Sequence, residues 1–285
     1  MTVALDDAYR ACEEITRAEA GNFFYGIRLL PADKRRAMCA VYALARRIDD
    51  IGDGDLPPEE KRAQLDRARA GLDPDNFDRT DPVLVAAHDA RRRFALPFDA
   101  FGDLIDGVEM DLAGAEYETF DDLVLYCRRV AGSIGRLCTA IFGADDRVKA
   151  DRLADDLGVA MQLTNILRDV RELGRTYLPL EDLRRFGCGD DLLAAPPDAV
   201  SELVAFEASR ARAWFDRGLR LLPMLDARSA SCVSAMTGIY RRLLERIEAR
   251  PLDVLERRTS LPAWEKAWVA ARSLARPRAS AGASR

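Results

Sequence analysis

The stretch Gln162–Pro179, QLTNILRDVRELGRTYLP, decides how the rest of the chain is read. It opens as a helix. Leu163, Ile166, Leu167 and Val170 recur at core-facing spacing, while Gln162, Asn165, Asp169 and Glu172 follow one another at steps of three, four and three. Residues three and four apart share one helical face, so two carboxamides and two carboxylates line up on one side. Gly174 is the expected helix stop, followed at once by Arg175, Tyr177 and Pro179. A row of oxygen acceptors suits a hard cation, which takes oxygen ligands. An arginine just beyond it suits the anion such a cation would bridge.

A second stretch, Tyr42–Asp53 (YALARRIDDIGD), answers the first. Tyr42, Arg46, Asp49 and Asp53 fall at steps of four, three and four, with Asp50 beside them. Clustered aspartates lower helix propensity and repel one another. Acidic runs are usually solvated surface, but this one is interleaved with Met38, Val41, Leu44 and Ile48, which read as core. Two inward-facing acidic helices far apart in sequence predict a shared Mg²⁺ cluster between the helices of a bundle.

Those motifs carry a resemblance. DDIGD at Asp49–Asp53, NILRDV at Asn165–Val170 and GRTYLP at Gly174–Pro179 resemble the squalene/phytoene synthase family. NFFYGIRLLP at Asn22–Pro31, DGVEMDL at Asp106–Leu112 and YCRRVAGSIGRL at Tyr126–Leu137 resemble it in the same order. The flavour of DGVEMDL and VAGSIGRL is most similar to the bacterial presqualene diphosphate synthases of the hopanoid pathway. The resemblance implies an all-α, single-domain helical bundle of the isoprenoid synthase type with a central cavity, over residues 1–275. It implies head-to-head condensation of two farnesyl diphosphates: Mg²⁺-assisted ionisation, attack by the acceptor double bond, and proton loss that closes a cyclopropane. Phytoene synthesis from geranylgeranyl diphosphate is the alternative within the class. A non-catalytic helical relative that binds partners is the alternative outside it.

Site roles follow from the resemblance at the matching positions. Asp49, Asp50 and Asp53 are the metal-side carboxylates of the first motif, with Asn165 and Asp169 their counterparts. Arg46 and Arg175 hold diphosphate oxygens, while Tyr42, Tyr126 and Tyr177 touch the diphosphate or steer a proton. Gln162, Phe23, Val130, Ala131, Gly132 and Leu163 line the prenyl cavity. The second motif departs from the family pattern. Leu173 stands where a second aspartate is expected, and about one turn of chain is absent before Gly174 and Arg175. Glu172, three residues after Asp169 on a continuing helix, is expected to substitute as a weak metal ligand. Gly21 and Asn22 stand where many members carry serines just before the Phe23 position.

Composition narrows the alternatives. The 285 residues are 48% hydrophobic and 32% charged, with a net charge of −5; that balance argues against a nucleic-acid partner. The six cysteines form no C-x-x-C pair, and several sit in apolar helical patterns, which reads as buried thiols. The single histidine, His88, argues against a histidine zinc site or a Ser/His/Asp triad; it reads as helix surface. Met1–Ala20 is charged throughout and no apolar run approaches the length of a membrane span. The expected location is cytoplasmic, with peripheral membrane contact open to a protein that handles greasy substrates. No NADPH requirement, no nucleic acid and no obligate protein partner is expected, and residues 276–285 read as a disordered tail.

Overall fold

The computed structural model describes residues 3–172, 176–189 and 191–275. The expected tail at 276–285 and the helix stop at Gly174 lie outside them. The described residues are helical, with turns and loops between, and contain no strand. The first half holds α1 (Leu5–Glu19), α2 (Gly21–Ile27), α3 (Ala32–Asp53), α4 (Pro58–Ala70), α5 (Pro82–Phe94) and α6 (Asp99–Leu112). The middle holds α7 (Phe120–Cys127), a π-helical turn at Arg128–Gly132, α8 (Ser133–Phe142) and α9 (Arg147–Arg168). The last part holds α10 (Leu180–Phe186), α11 (Pro197–Gly218), α12 (Ala227–Ala249), the short α13 (Asp253–Glu256) and α14 (Ala263–Leu274).

Local chemistry sets these boundaries. Thr119 caps α7 in a reciprocal box with Asp122, as its spacing predicts. Asp81, Asp146 and Asp226 accept backbone N–H groups at the starts of α5, α9 and α12. Ala95, at φ 50°, ends α5 just before Leu96 and Pro97. Gly21–Tyr25, small and aromatic in sequence, is helical within α2, and its Phe23 ring lies 5.8 Å from that of Tyr240.

α9 is the central element. It packs on α8, α11 and α12, and α8 also packs on α3. The contact between α8, the π-turn and α9 is close because glycines line it. A Cβ on Gly158 would stand 2.5 Å from the Gly132 nitrogen, and one on Gly135 would stand 2.7 Å from the Ala154 carbonyl oxygen. Close packing therefore accounts for Gly132 and Gly158, and Gly132 faces α9 rather than a substrate cavity.

His88 corrects its surface reading. It is buried, its Nε2 is 2.9 Å from the Gly71 carbonyl oxygen, and its ring stacks on Phe77 at 3.8 Å. Burial holds its pKa below the ordinary value. All six cysteines are free and buried, with burial pushing their thiols up and away from reactive thiolates.

Candidate active site

A cavity of about 610 Å³ lies between α3, the π-turn with α8, α9 and α12, and α2 closes part of its side. Its deep wall is apolar, with Met38, Ile134, Phe142, Leu157, Leu221 and Val233. Its mouth is polar. α3 supplies Tyr42, Arg46 and Asp49 there, and α9 supplies Gln162, Asn165 and Arg168. Tyr240 from α12 joins them, with Arg258 and Lys266 from the C-terminal segment. The π-turn fits this location, since an extra residue in a helical turn shifts the side chains that follow and recurs at functional sites.

Eight of the expected residues line this cavity: Phe23, Tyr42, Arg46, Asp49, Val130, Ala131, Gln162 and Asn165. The others sit elsewhere for identifiable reasons. Leu163 is buried on the core side of α9, and Gly132 packs against Asp155. Asp50 is exposed and pairs with Arg46 at 2.6 Å. Asp53 is the exposed last residue of α3, near enough for its charge to act on Asp49.

The second motif differs more. α9 ends at Arg168, and Asp169 is the residue that terminates it. Asp169 pairs with Arg168 and, at 2.8 Å, with Arg258. Glu172 stands on an exposed turn, its carboxylate 3.6 Å from Arg258, so a helical-wheel projection from Asp169 does not apply. Arg175 lies outside the described residues.

Tyr126 and Tyr177 do not reach the cavity wall. Both hydroxyls donate to Asp111, at 2.9 and 2.8 Å, and their rings stack with Tyr117 at centroid distances of 5.3 to 6.2 Å. Burial and the Asp111 charge raise the Tyr126 hydroxyl well above its usual range. Asp111 is thus a second carboxylate near Asp49, anchored by two tyrosines, and sequence reasoning gave it no role. Arg168, Tyr240, Arg258 and Lys266 were missed too. Arg168 lies inside the quoted NILRDV motif and was legible there. Tyr240 has the spacing of a core aromatic, and Arg258 lies in a segment without periodicity.

The electrostatics of the mouth are unbalanced in two directions. Asp49 is pushed up to about 7, first by burial and then by the Asp53 charge, with Arg46 opposing. Lys266 is pulled down by burial and by the positive charges of Arg168 and Arg258. A crowded acid and a crowded set of cations on one cavity rim suit a counter-cation and an anion respectively.

The donor set fits Mg²⁺. Asp49 offers carboxylate oxygens, Asn165 Oδ1 is buried with no hydrogen-bond partner, and the neighbouring Gln162 Oε1 accepts from Asn165 Nδ2 at 3.3 Å. No group of three His, Cys, Asp or Glu side chains among the described residues is placed to hold an ion unaided. The cluster expected between the two acidic helices is therefore not formed among them: Asp53 is exposed and Asp169 pairs with Arg168 and Arg258.

The comparisons agree with the fold. A model of the squalene/phytoene synthase family matches residues 16–265. The phytoene synthase of Mycobacterium tuberculosis is 51% identical over 279 residues, covering 95% of this chain and 92% of its own. A dehydrosqualene synthase solved with a ligand superimposes with a TM-score of 0.84 at 27% identity, over 95% of this chain and 96% of that one. The squalene synthase HpnC of Alicyclobacillus acidocaldarius gives 0.79 at 31%, over 86% and 95%. An all-helical isoprenoid synthase fold, an acidic and basic cavity mouth and the family match all lead to one assignment: this chain belongs to the squalene/phytoene synthase family of prenyltransferases.

Proposed function

We propose that this protein condenses two geranylgeranyl diphosphates head to head to form phytoene. The observation that carries the reading is the cavity, with an anion-seeking cluster (Arg168, Arg258, Lys266) and oxygen donors (Asp49, Asn165) at the mouth of a long apolar wall. The apolar part of this wall on α9, Ala154, Leu157 and Met161, spans about 10 Å at 1.5 Å per residue, and Gln162, Asn165 and Arg168 beyond it form the metal and diphosphate end. The choice of geranylgeranyl over farnesyl diphosphate rests on the relative named phytoene synthase, at 51% identity. The farnesyl reading, with presqualene diphosphate as product, is second. It is favoured by the DGVEMDL and VAGSIGRL wording and by the likeness to the squalene synthase HpnC.

In this reading Asp49, Asn165 and Gln162 would hold Mg²⁺, which would supply charge neutralisation for a departing diphosphate. Arg168, Arg258 and Lys266 bind and orient that diphosphate, with guanidinium suited to its oxygens. The C1–O bond of one substrate breaks, and its electron pair leaves with diphosphate. The double bond of the second substrate then attacks the allylic cation, and proton loss closes a cyclopropane. A second ionisation, rearrangement and proton loss give the hydrocarbon with no reductant consumed. The apolar wall excludes water that would quench each cation. Tyr42 is the hydroxyl on the cavity rim closest in sequence to Arg46 and Asp49, and burial raises it to about 12, which keeps it protonated.

The test is a competition. Equal amounts of geranylgeranyl and farnesyl diphosphate are supplied with Mg²⁺ and no NADPH, and the extracted lipid is identified by mass. Phytoene as the main product supports the reading. Presqualene diphosphate as the only product transfers it to the farnesyl alternative.

A further inference from the structure

α14 turns two of its charged residues inward beside the buried Val269 and Ala270: Glu265 is buried and paired with Arg242 at 2.8 Å and with Arg246, and Lys266 lines the cavity. Its outward face carries Trp264, Ala267, Trp268, Ala271 and Leu274, all exposed, with the exposed Arg272 beside them. Trp264 is 71% exposed, Trp268 44% and Leu274 46%. Single exposed apolar residues are ordinary; a continuous apolar stripe bearing two tryptophans is a contact surface.

The surroundings specify what it contacts. The guanidinium groups of Arg242 and Arg272 lie over the Trp268 ring at 4.8 and 5.2 Å. Residues 257–285 carry seven Arg and Lys against one acid, Glu265, in a chain whose net charge is −5. Tryptophan with adjacent basic side chains is the composition of segments that lie at a lipid–water interface. A second copy fits less well, because a two-fold contact would set this basic face against itself. We propose that α14 is an interfacial helix that rests its Trp264–Leu274 stripe on an anionic lipid bilayer. Lys266, on the other side of α14, and Leu261, just before the helix, line the cavity, so α14 itself stands between the docked face and the cavity. The docking does not rest on the proposed function.

The test is flotation of the full chain with phosphatidylcholine vesicles, with and without added phosphatidylglycerol. The reading predicts binding that rises with anionic lipid and falls in high salt. Trp264→Ser with Trp268→Ser should lower the partition about tenfold or more, and Arg272→Gln about fivefold on anionic vesicles only. Helix content by circular dichroism should not change, and Leu274→Ser, at the end of the stripe, gives an independent loss if the double variant unfolds. Light scattering without vesicles should show the same molecular mass for wild type and variants. Wild-type partition no greater than that of these variants would overturn the proposal. So would a vesicle-free dimer that the tryptophan variants dissociate. Partition is read without turnover, so an error in the proposed substrate leaves this result interpretable.

Discussion

Gly158→Ala tests how closely the cavity walls are held together. The new Cβ would lie 2.5 Å from the Gly132 nitrogen and 2.6 Å from the Ala131 carbonyl carbon. That is nearly an ångström short of the 3.4 Å at which ordinary contact begins, and both neighbours are backbone. α9 or the π-turn must therefore move as a body. Overpacking of this kind costs about 1–3 kcal/mol, and backbone neighbours place it near the upper end. Alanine returns about 1 kcal/mol of helix propensity, leaving a net loss of about 2 kcal/mol. For a chain of this size, with an unfolding entropy of about 0.6 kcal/mol/K, that lowers Tm by about 3 °C. Gly102→Ala is the matched control. Its Cβ would meet only Arg69 Nη1, at 3.7 Å, so it should stabilise by about 0.5–1 kcal/mol. Calorimetry on both variants, with turnover alongside, is the assay. Gly158→Ala should also lose activity, because Ala131 forms part of the cavity wall. Shifts of the same sign in the two variants would refute the packing argument.

Other outcomes follow from the site. Asp49→Asn should abolish turnover yet stabilise the metal-free protein at pH 8. The folded-state pKa is raised from 3.8 to about 7, so the wild type loses stability as pH rises through that window and carries the full penalty above it. The ceiling is about 4 kcal/mol, about 2 kcal/mol is expected after relaxation, and the difference should vanish near pH 4 in urea unfolding with chelator present. Asp111→Ala leaves the Tyr126 and Tyr177 hydroxyls without the acceptor they share and should destabilise by about 2–3 kcal/mol in the same assay. Glu172→Gln should leave the Mg²⁺ dependence of turnover within about twofold, because an exposed pair of this kind contributes little; a large shift in that titration would return Glu172 to the metal site.

Much of the fold was legible because helical periodicity and capping chemistry are local. The bounds of α1 and α3 and the Thr119 cap follow from apolar spacing and from one polar side chain in reach of free N–H groups. Half of the site was legible for the same reason. Tyr42, Arg46 and Asp49 share a helical face, as do Gln162 and Asn165, and a shared face becomes a cavity wall. The rest depends on where elements end and on which distant elements meet. Asp169 lies one residue past the end of α9, and that single step turns its carboxylate to Arg168 and Arg258. Tyr126 and Tyr177 bear on the site only through Asp111, a tertiary contact with no sequence spacing to announce it. Gly132, expected in the prenyl cavity, instead packs against Asp155 of α9, a contact that only the packed structure shows.

The most direct test of the account is a crystal structure of the protein with Mg²⁺ and a geranylgeranyl thiodiphosphate, whose carbon–sulfur bond resists ionisation. The account predicts the diphosphate at the cavity mouth, with metal on Asp49 and Asn165 and phosphate oxygens on Arg168, Arg258 and Lys266. The prenyl chain should follow α9 toward Ala154 and end against Phe142. A diphosphate bound away from that mouth, or a prenyl chain lying outside the cavity, would contradict it.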